Sequence, residues 1–356
     1  MKFKALTATI LSGAVTLAGM SGIAHAQDKI RWKMQSAFGS QLPHLGPPGQ
    51  KFQKDLDLMS AGKFEMRFYE PGALIPALEC FDAVGKGSVE ACWTTPGFHA
   101  SKFPAMAFFT TVPFGPGFGE FLAWKWFAGG NKFRDEIYEQ HGLTAFDSFC
   151  IGPETSGWFR REIKDADDMK GIKMRFFGLG AKVMEKMGVQ TQLIAPADIF
   201  PALERGVIDA TEFSMPAMDQ KQGFQQVAKF NYFPGWHQLT SCSEILMNKK
   251  AFDALPEQFK AMIRVAATAG TAFNYAESEA GQFAIMAEMK EKNGVQFKRW
   301  SDEDLAKYEA AWLDVIKEES AKDPLFKKVS DHYLNFRKSY AIWGDAQYMK
   351  GTYLKK

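Results

Sequence analysis

The chain alternates short apolar strands with helices in two separate stretches, and this alternation constrains the fold more than any other feature. Apolar residues at every second position predict strands, and apolar residues three to four apart predict helices. In the first stretch the order is strand, helix, strand, helix, strand, at residues 30–36, 51–59, 63–69, 76–85 and 89–93. This order is typical of an α/β sheet whose parallel strands are joined by helical crossovers.

The middle third of the chain repeats this order. Strands are predicted at 143–151, 173–177 and 208–213, an extended segment at 190–193, and helices at 180–187 and 199–205. A chain of 356 residues also exceeds what one compact core usually holds. We therefore expect two α/β lobes.

A nine-residue echo links the two stretches. The segment AVGKGSVEA around Gly87 resembles the segment ALERGVIDA around Gly206, and each glycine can adopt the left-handed conformation that ends a helix. Ligands of open α/β sheets lie beyond the carboxyl ends of strands, so residues 93–98 and 212–216 are expected to face one crevice. The alternative is a common turn that occurs twice.

The last third is rich in Ala, Glu, Met and Lys and has few strand formers. Helices are predicted at 255–292, 302–319 and 323–343, and Ser301 begins a capping signature for the second of them. Two roles remain open for this helical segment. It either caps the hinge between the lobes or mediates pairing with a second chain.

The N-terminus predicts export. Two lysines precede an uncharged apolar run at 5–20, and small residues close the segment at Ala26. These are the three regions of a signal peptide, so cleavage is expected before Gln27. A membrane anchor is the alternative, but it needs a longer apolar run of about 20 residues.

The charge balance argues against nucleic acid as a partner. The sequence has 43 Lys and Arg against 41 Asp and Glu, and two of the lysines lie in the signal segment, so the mature chain is neutral. Affinity for a phosphate backbone comes largely from a basic surplus. We expect the mature protein in the periplasm, without a nucleic-acid partner.

Four cysteines occur at widely different spacings: Cys80, Cys92, Cys150 and Cys242. An oxidising compartment permits disulfides, but these spacings do not indicate which pair forms. Buried free thiols are the alternative.

The sequence contains no GxSxG elbow and no HExxH helix, so no catalytic set is predicted. Histidines are scattered without ligand spacing, which favours structural roles for His44, His99, His141, His237 and His332. The protein is therefore predicted not to be an enzyme. The alternative is a secreted α/β hydrolase or lyase that uses Glu154 or Glu212 as a base.

Three charged residues at predicted strand ends or turns are candidates for binding. Arg175 lies in the otherwise apolar segment MRFF, and its planar fork suits a carboxylate. The alternative for Arg175 is an internal salt bridge with Glu154 or Glu212. Each acid alone is more typical of a solvated loop, whereas the three residues together would form an ion-and-anion site.

Several motifs resemble the solute-binding proteins of tripartite ATP-independent periplasmic (TRAP) transporters, the DctP-like family. They are GWFRREI at 157–163, DMKGIKMR at 168–175, IFPALERGVIDATE at 199–212 and PGWH at 234–237. The resemblance covers essentially the whole mature chain. It is closest to the branch that binds 2-oxo acids such as pyruvate, and to lactate-binding relatives.

The resemblance implies an α/β, two-lobed periplasmic binding protein fold with hinge-crossing strands, a long hinge helix and extra C-terminal helices. The implied segments are a signal peptide at 1–26, lobe I at 27–150 with a return at about 240–255, lobe II at 151–239, and the hinge helix and C-terminal helical segment at 256–356. The implied partners are the membrane subunits of a TRAP permease and a second copy of the chain, paired through the C-terminal helices.

The resemblance also implies a site. Arg175 would clamp the substrate carboxylate, and a metal ion would be held by Glu154, by the carboxylate of Glu212 and by the backbone carbonyl of Phe213. The remaining candidates for the substrate site are Phe98, Trp236 and Gln238.

Two departures from the branch pattern bear on the metal. The branch often has Gln at the position of Glu154 and Trp at that of Phe213. With Glu154, three carboxylates meet the ion once the substrate is counted, and hard divalent cations favour such all-oxygen sites. Ca²⁺ is therefore expected in preference to Na⁺. The alternative ligands are a dicarboxylate, an aromatic acid or a compatible solute, bound without metal.

Overall fold

The computed structural model describes residues 29–347. The signal peptide predicted at 1–26 lies outside the described residues. No helix in the described part of the chain is long and apolar enough to cross a membrane.

Within residues 29–347, eleven strands form two sheets. The strands are β1 Ile30–Ser36, β2 Phe64–Tyr69, β3 Ala91–Thr94, β4 Leu143–Ile151, β5 Gly157–Phe159, β6 Lys173–Arg175, β7 Gln190–Gln192, β8 Ala210–Thr211, β9 Phe230–Phe233, β10 Ser241–Asn248 and β11 Gln296–Arg299. The first sheet has the order β2-β1-β3-β10-β4, and the second has the order β11-β9-β5-β8-β6-β7.

Both sheets are mixed. In the first, β1 pairs in parallel with β2 and β3, whereas β10 runs antiparallel to β3 and β4. In the second, β6 pairs in parallel with β7 and β8, and β5 runs antiparallel to β8 and β9. The chain crosses between the sheets after β4, returns before β10 and crosses again between β10 and β11. We call the segments 152–156 and 234–240 the crossing segments.

In the described part of the chain, thirteen α-helices pack around the sheets. They are α1 Pro47–Met59, α2 Cys80–Gly85, α3 Phe118–Leu122, α4 Gly130–Gln140, α5 Gly178–Lys186, α6 Pro196–Glu204, α7 Pro216–Gln222, α8 Phe224–Val227, α9 Lys249–Asp253, α10 Glu257–Ala280, α11 Gln282–Asn293, α12 Asp302–Lys322 and α13 Pro324–Gln347. This arrangement confirms the predicted α/β, two-lobed fold with crossing segments, a long helix and extra C-terminal helices.

The long helix α10 lies against the end of β4. The side-chain amide of Asn274 donates to the carbonyl oxygens of Cys150, at 2.9 Å, and His44, at 3.0 Å. Ser278 accepts a hydrogen bond from the backbone N–H of Gly152 at 3.1 Å. The helix is thus fixed to the strand end at which the chain leaves the first lobe.

The two echoed segments form the same helix cap. Gly87 and Gly206 have φ values of +74° and +72°. The residue after each glycine donates its N–H to the carbonyl of the echoed alanine, Ser88 to Ala83 at 2.8 Å and Val207 to Ala202 at 2.9 Å. This six-to-one bond is the signature of a Schellman cap, and it explains why the two sequences match.

Several predicted elements have different bounds in the structure. The helix predicted at 255–292 is divided at Gly281 into α10 and α11. The strands predicted at 173–177 and 208–213 are short, because after Arg175 and Thr211 the backbone leaves the sheet to build the loops around Glu212. Ser301 caps α12 as predicted, accepting a hydrogen bond from the N–H of Asp304.

All four cysteines are paired. One disulfide joins Cys80 at the start of α2 to Cys92 in β3, and the other joins Cys150 in β4 to Cys242 in β10. The second pair is possible because β4 and β10 are neighbours whose register places Cys150 opposite Cys242. The spacing of the cysteines along the sequence does not show which residues are neighbours in the fold. It therefore could not decide between disulfides and free thiols.

Candidate functional site

A small cavity of about 40 Å³ lies between the two lobes. At roughly 10–15 Å³ for each water-sized centre, this is room for a molecule of a few heavy atoms. From the first lobe and its sheet the lining residues are Phe38, Leu45, Thr95, Phe98, Thr110, Ile151, Ser241 and Ser243. From the crossing segments and the second lobe they are Glu154, Arg175, Phe177, Phe213, Ser214 and Gln238. The segments that follow the echo, 93–98 and 212–216, therefore face one crevice, as predicted, through Thr95 and Phe98 on one side and Phe213 and Ser214 on the other.

Arg175 ends β6 and is only 2% exposed. Its Nη1 donates to the backbone carbonyl of Glu212 at 2.7 Å and to Oε2 of the same residue at 2.8 Å. The guanidinium also lies over the rings of Phe177 and Phe213, at 6.0 and 5.6 Å from their centroids. The arginine is therefore held by an internal ion pair on one edge, and it lines the cavity as well.

Glu212 follows β8 directly and lies behind Arg175 rather than on the cavity wall. Burial alone would raise the pKa of its carboxyl group, but the charge of Arg175 and the neighbouring His237 lower it below the ordinary value. Its Oε2 also accepts from the N–H of Phe177 at 3.0 Å. Glu212 is thus held as a buried carboxylate.

Glu154 lies in the first crossing segment and lines the cavity. Burial raises the pKa of Glu154 to about 8, against the opposing effect of His237. Its backbone N–H donates to the carbonyl of Gln238 at 3.1 Å, so the two crossing segments are bonded to each other at this residue. A neighbouring positive charge would favour the ionised form of this carboxyl group.

His237 lies between the two acids. Its Nε2 is 3.6 Å from Oε2 of Glu154 and 3.6 Å from Oε1 of Glu212. Burial would lower the pKa of His237, but the two carboxylates raise it to about 9. The sequence analysis assigned this histidine a structural role, because the acids lie 83 and 25 positions away and no ligand spacing marks it.

These three side chains have the geometry of a cation site. Oε2 of Glu154, Oε1 of Glu212 and Nε2 of His237 are buried without a hydrogen-bond partner among the described residues. They lie within 4.8 Å of one another. Because an unsatisfied buried polar atom costs about 1–3 kcal/mol, the two carboxylates fit a positive charge between them, either the proton of His237 or a bound cation.

Two of the three remaining candidates for the substrate site line the cavity, and the third does not. Phe98 lines the cavity, with its ring at 5.5 Å from that of Phe177, and Gln238 lines it from the second crossing segment. Trp236 is not among the lining residues, and its ring packs instead between Phe114 at 5.5 Å and Tyr308 at 4.9 Å. The motif PGWH therefore contributes His237 to the site, while its tryptophan anchors the loop in the core.

Asp219 on α7 positions the loops of the site and, like His237, was not predicted from the sequence. It accepts from the N–H of Ser214 at 3.0 Å, from Nε1 of Trp158 at 2.7 Å and from the hydroxyl of Thr155 at 3.4 Å. Burial raises the pKa of Asp219 to about 7. The side chain fixes the loops after Glu154 and Glu212 to each other.

Glycine allows the close approach of the two crossing segments. A Cβ at Gly235 would overlap the backbone carbonyl of Glu154, so only glycine permits this packing. The same is true of Gly97, whose missing side chain leaves room for the ring of Phe177 from the opposite lobe. Both contacts bring the site residues of the two lobes together.

Comparisons with known proteins agree with this geometry. Residues 42–323 match the family model described as bacterial extracellular solute-binding protein, family 7 (DctP). The chain is 30% identical over 338 residues to the monocarboxylate 2-oxoacid-binding periplasmic protein of a Nostoc species, covering 95% of this chain and 92% of the relative.

Two solved structures share the fold over most of their length. A TRAP transporter solute-binding protein from Bordetella bronchiseptica, a dimer with copurified calcium and picolinate, is 30% identical with a TM-score of 0.87, covering 90% of this chain and 95% of that one. A TRAP periplasmic solute-binding protein from Pseudoalteromonas atlantica, with sodium and pyruvate, is 28% identical with a TM-score of 0.86, covering 90% and 97%.

Proposed function

The chain belongs to the DctP family of TRAP solute-binding proteins, which are receptors and not enzymes, and we propose that it captures a 2-oxo or 2-hydroxy monocarboxylate together with a metal ion. The hydrolase or lyase alternative is wrong, because the family consists of solute receptors. The ligand is a small organic acid that the receptor passes to a TRAP permease.

One observation carries this proposal. Arg175 lines the same small cavity as Glu154, and buried ligand atoms of Glu154, Glu212 and His237 converge beside it. An arginine fork suits a carboxylate, and two protein carboxylates beside it suit a cation. A ligand with a carboxylate and a neighbouring oxygen satisfies both groups at once.

We propose Ca²⁺ as the cation, held by Glu154, Glu212 and the backbone carbonyl of Phe213. When bound, the ion would supply positive charge for the carboxylate and the 2-oxygen of the ligand. The relatives support either ion, since one solved structure holds calcium and the other sodium. The second carboxylate of this chain, Glu154, favours the divalent ion.

Capture requires positioning and no bond chemistry. Arg175 keeps Nη1 on Glu212 and directs the rest of its fork to the acid, while Phe98, Phe177 and Phe213 exclude water from the carbon chain. Closure of the lobes around the crossing segments then encloses the ligand. Reopening at the permease would release it.

A thermal-shift screen tests this function. Metal-stripped protein is heated with pyruvate, lactate, succinate, picolinate and a compatible solute, each with and without calcium. A ligand that binds the folded state at 100 times its Kd stabilises it by about 2.7 kcal/mol, which gives a clear rise in Tm. We expect pyruvate-type acids to raise Tm only with calcium, whereas a shift with succinate alone would support the metal-free alternative.

We also propose a periplasmic location after cleavage before Gln27, in keeping with the extracytoplasmic role of the family. Mass spectrometry of the protein purified from the periplasm gives the mature N-terminus. A mass that includes residues 1–26 would contradict cleavage.

We further propose a homodimer through the C-terminal helices. In α13 the side chains of Ile342 and Trp343 are 79% and 60% exposed, and Leu334 is 38% exposed. Exposed apolar side chains of this kind mark interaction surfaces. The Ile342→Ser/Trp343→Ser protein should be monomeric by light scattering where the unsubstituted protein is dimeric, and a monomeric unsubstituted protein would overturn the proposal.

A further inference from the structure

We infer that the hydroxyl-lined part of the cavity, contributed by the first lobe, is a second, uncharged subsite that selects acids with a hydrogen-bonding oxygen at the end of a short tail. This inference rests on the proposed function and specifies its ligand. The subsite consists of the hydroxyl groups of Thr95, Thr110, Ser241 and Ser243, which we call the hydroxyl wall.

The hydroxyl wall belongs entirely to the first lobe. Thr95 follows β3, Thr110 follows a short 3-10 helix at Pro104–Phe109, and Ser241 and Ser243 lie two apart on β10. Side chains two apart on a strand point to the same face, so both serines line the cavity. The cation cluster and Arg175 come from the crossing segments and the second lobe. The first lobe therefore offers a ligand neutral hydroxyl groups, whereas the crossing segments and the second lobe offer charged groups.

The two threonines form a relay that leaves one donor unassigned. The N–H of Gly97 donates to Oγ1 of Thr110 at 2.7 Å, and the hydroxyls of Thr95 and Thr110 are 2.9 Å apart. A hydroxyl group carries one proton, and only one of the two is used between the threonines. Whichever threonine donates, the other keeps a free proton for an acceptor.

The charges of the lining residues exclude a second carboxylate at this wall. Within the described part of the chain, only Glu154 and Arg175 among the lining residues carry a formal charge. Arg175 already shares its fork with Glu212. A second carboxylate would be desolvated against hydroxyls without a cation, which costs far more than a neutral oxygen.

The size and the side walls of the cavity limit the tail. Phe38, Phe98 and Ile151 also line the cavity, and the volume of about 40 Å³ leaves little room beyond the carboxylate and the 2-oxygen. The shortest tail that offers the hydroxyl wall an acceptor is one carbon that carries a hydroxyl or carbonyl oxygen. A purely aliphatic tail would leave the free donor without a partner, and a site with an unpaired polar group discriminates against such a ligand.

Two acids of almost equal shape test the inference. Hydroxypyruvate and 2-oxobutanoate differ only in a terminal hydroxyl in place of a methyl group. Calorimetry in calcium buffer should show hydroxypyruvate binding more tightly by roughly fivefold, the effect of one neutral hydrogen bond. The Thr95→Val/Thr110→Val double variant should lose this preference, measured as the ratio of the two affinities, because removing one threonine alone would free the proton of the other.

Matched variants keep the test decisive. Thr111→Val changes a buried neighbour outside the cavity lining and should leave the preference intact. Thr95→Ser and Thr110→Ser keep the hydroxyl and should retain it even if a valine variant does not fold. Equal affinities for the two acids, or a preference that survives both valine substitutions, would overturn the inference while the proposed function stands. If neither these acids nor pyruvate binds with calcium, the proposed function itself fails.

Discussion

Nη1 of Arg175 and Oε2 of Glu212 lie 2.8 Å apart, with side-chain exposures of 2% and 1%. The sequence left two alternatives for Arg175, an internal salt bridge and an anion clamp, and this distance establishes the salt bridge. The two alternatives are compatible, because guanidinium has five N–H donors and Glu212 uses only part of them. The ion pair orients the fork, Nε donates to the backbone carbonyl of Ile194 at 3.5 Å, and Nη2 carries the donors that we propose for a ligand.

Arg175→Lys should weaken acid binding although it keeps the charge. An ammonium group lacks the planar fork, so lysine cannot serve Glu212 and a substrate carboxylate with the same geometry. We expect a loss of at least about 2 kcal/mol, which is roughly 30-fold in Kd by calorimetry. Arg161→Lys, at an exposed position in the same lobe, is the control. Unchanged affinity of the Arg175→Lys protein for the acid would show that the guanidinium does not clamp the substrate carboxylate.

Glu154→Gln should change the preferred cation. The substitution keeps an oxygen ligand but removes one of the two protein carboxylates, and calcium sites depend on the number of charged ligands. In calcium titrations with saturating pyruvate, we expect affinity to fall by roughly tenfold or more, which needs about 1.4 kcal/mol. Sodium affinity should change little. Equal calcium affinity in both proteins would mean that Glu154 is not a ligand.

The sequence predicted those parts of the site whose chemistry is visible locally. Arg175 was identified because a charged residue interrupts an apolar strand, and Glu212 because it follows one. His237 was not identified, because its proximity to Glu154 and Glu212 depends on how closely the crossing segments pack at Gly235. The same packing decides which aromatic residue of the motif PGWH reaches the site, and Trp236, which we expected at the substrate, is not among the residues that line the cavity.

The fold, too, was predicted only where local sequence patterns determine it. Period-two and helical patterns located most elements, and the echo around Gly87 and Gly206 predicted two equivalent caps. Pairing of cysteines depends on strand order and register, which no local pattern contains. The break at Gly281 was not predicted, because a single glycine is tolerated inside many helices.

His99 should make the protein sensitive to acid. Burial, with the charge of Lys102 added, lowers the pKa of His99 to about 3, far below the ordinary 6.5. Between these values the unfolded chain binds a proton that the folded chain does not, so stability is lost as the pH falls through this window. For this one group, the free energy of unfolding falls by at most about 1.4 kcal/mol per pH unit.

Urea unfolding of the wild-type and His99→Gln proteins at pH 7, 6, 5 and 4 measures this contribution. The wild-type protein should lose more stability on acidification than the variant, because glutamine does not titrate. Parallel curves for the two proteins would show that His99 is not buried in the neutral form.

The two disulfides should differ in their contribution to stability. Cys150 and Cys242 are separated by 92 residues, and Cys80 and Cys92 by 12. Loop-closure entropy gives about 4.6 kcal/mol for the longer loop and about 2.9 kcal/mol for the shorter one. Paired Cys→Ala substitutions, followed by urea unfolding, should therefore show the greater loss for Cys150 and Cys242. An equal or reversed order would contradict the chain-entropy argument for this fold.

The dependence of acid binding on the metal ion tests the central claim most directly. Pyruvate is titrated into metal-stripped protein by calorimetry, once with calcium and once with a chelator and sodium only. Because Glu154, Glu212 and His237 converge beside Arg175, we expect binding that is at least tenfold tighter with calcium, a difference of about 1.4 kcal/mol. The same Kd in sodium alone, with no calcium in the protein, would contradict it.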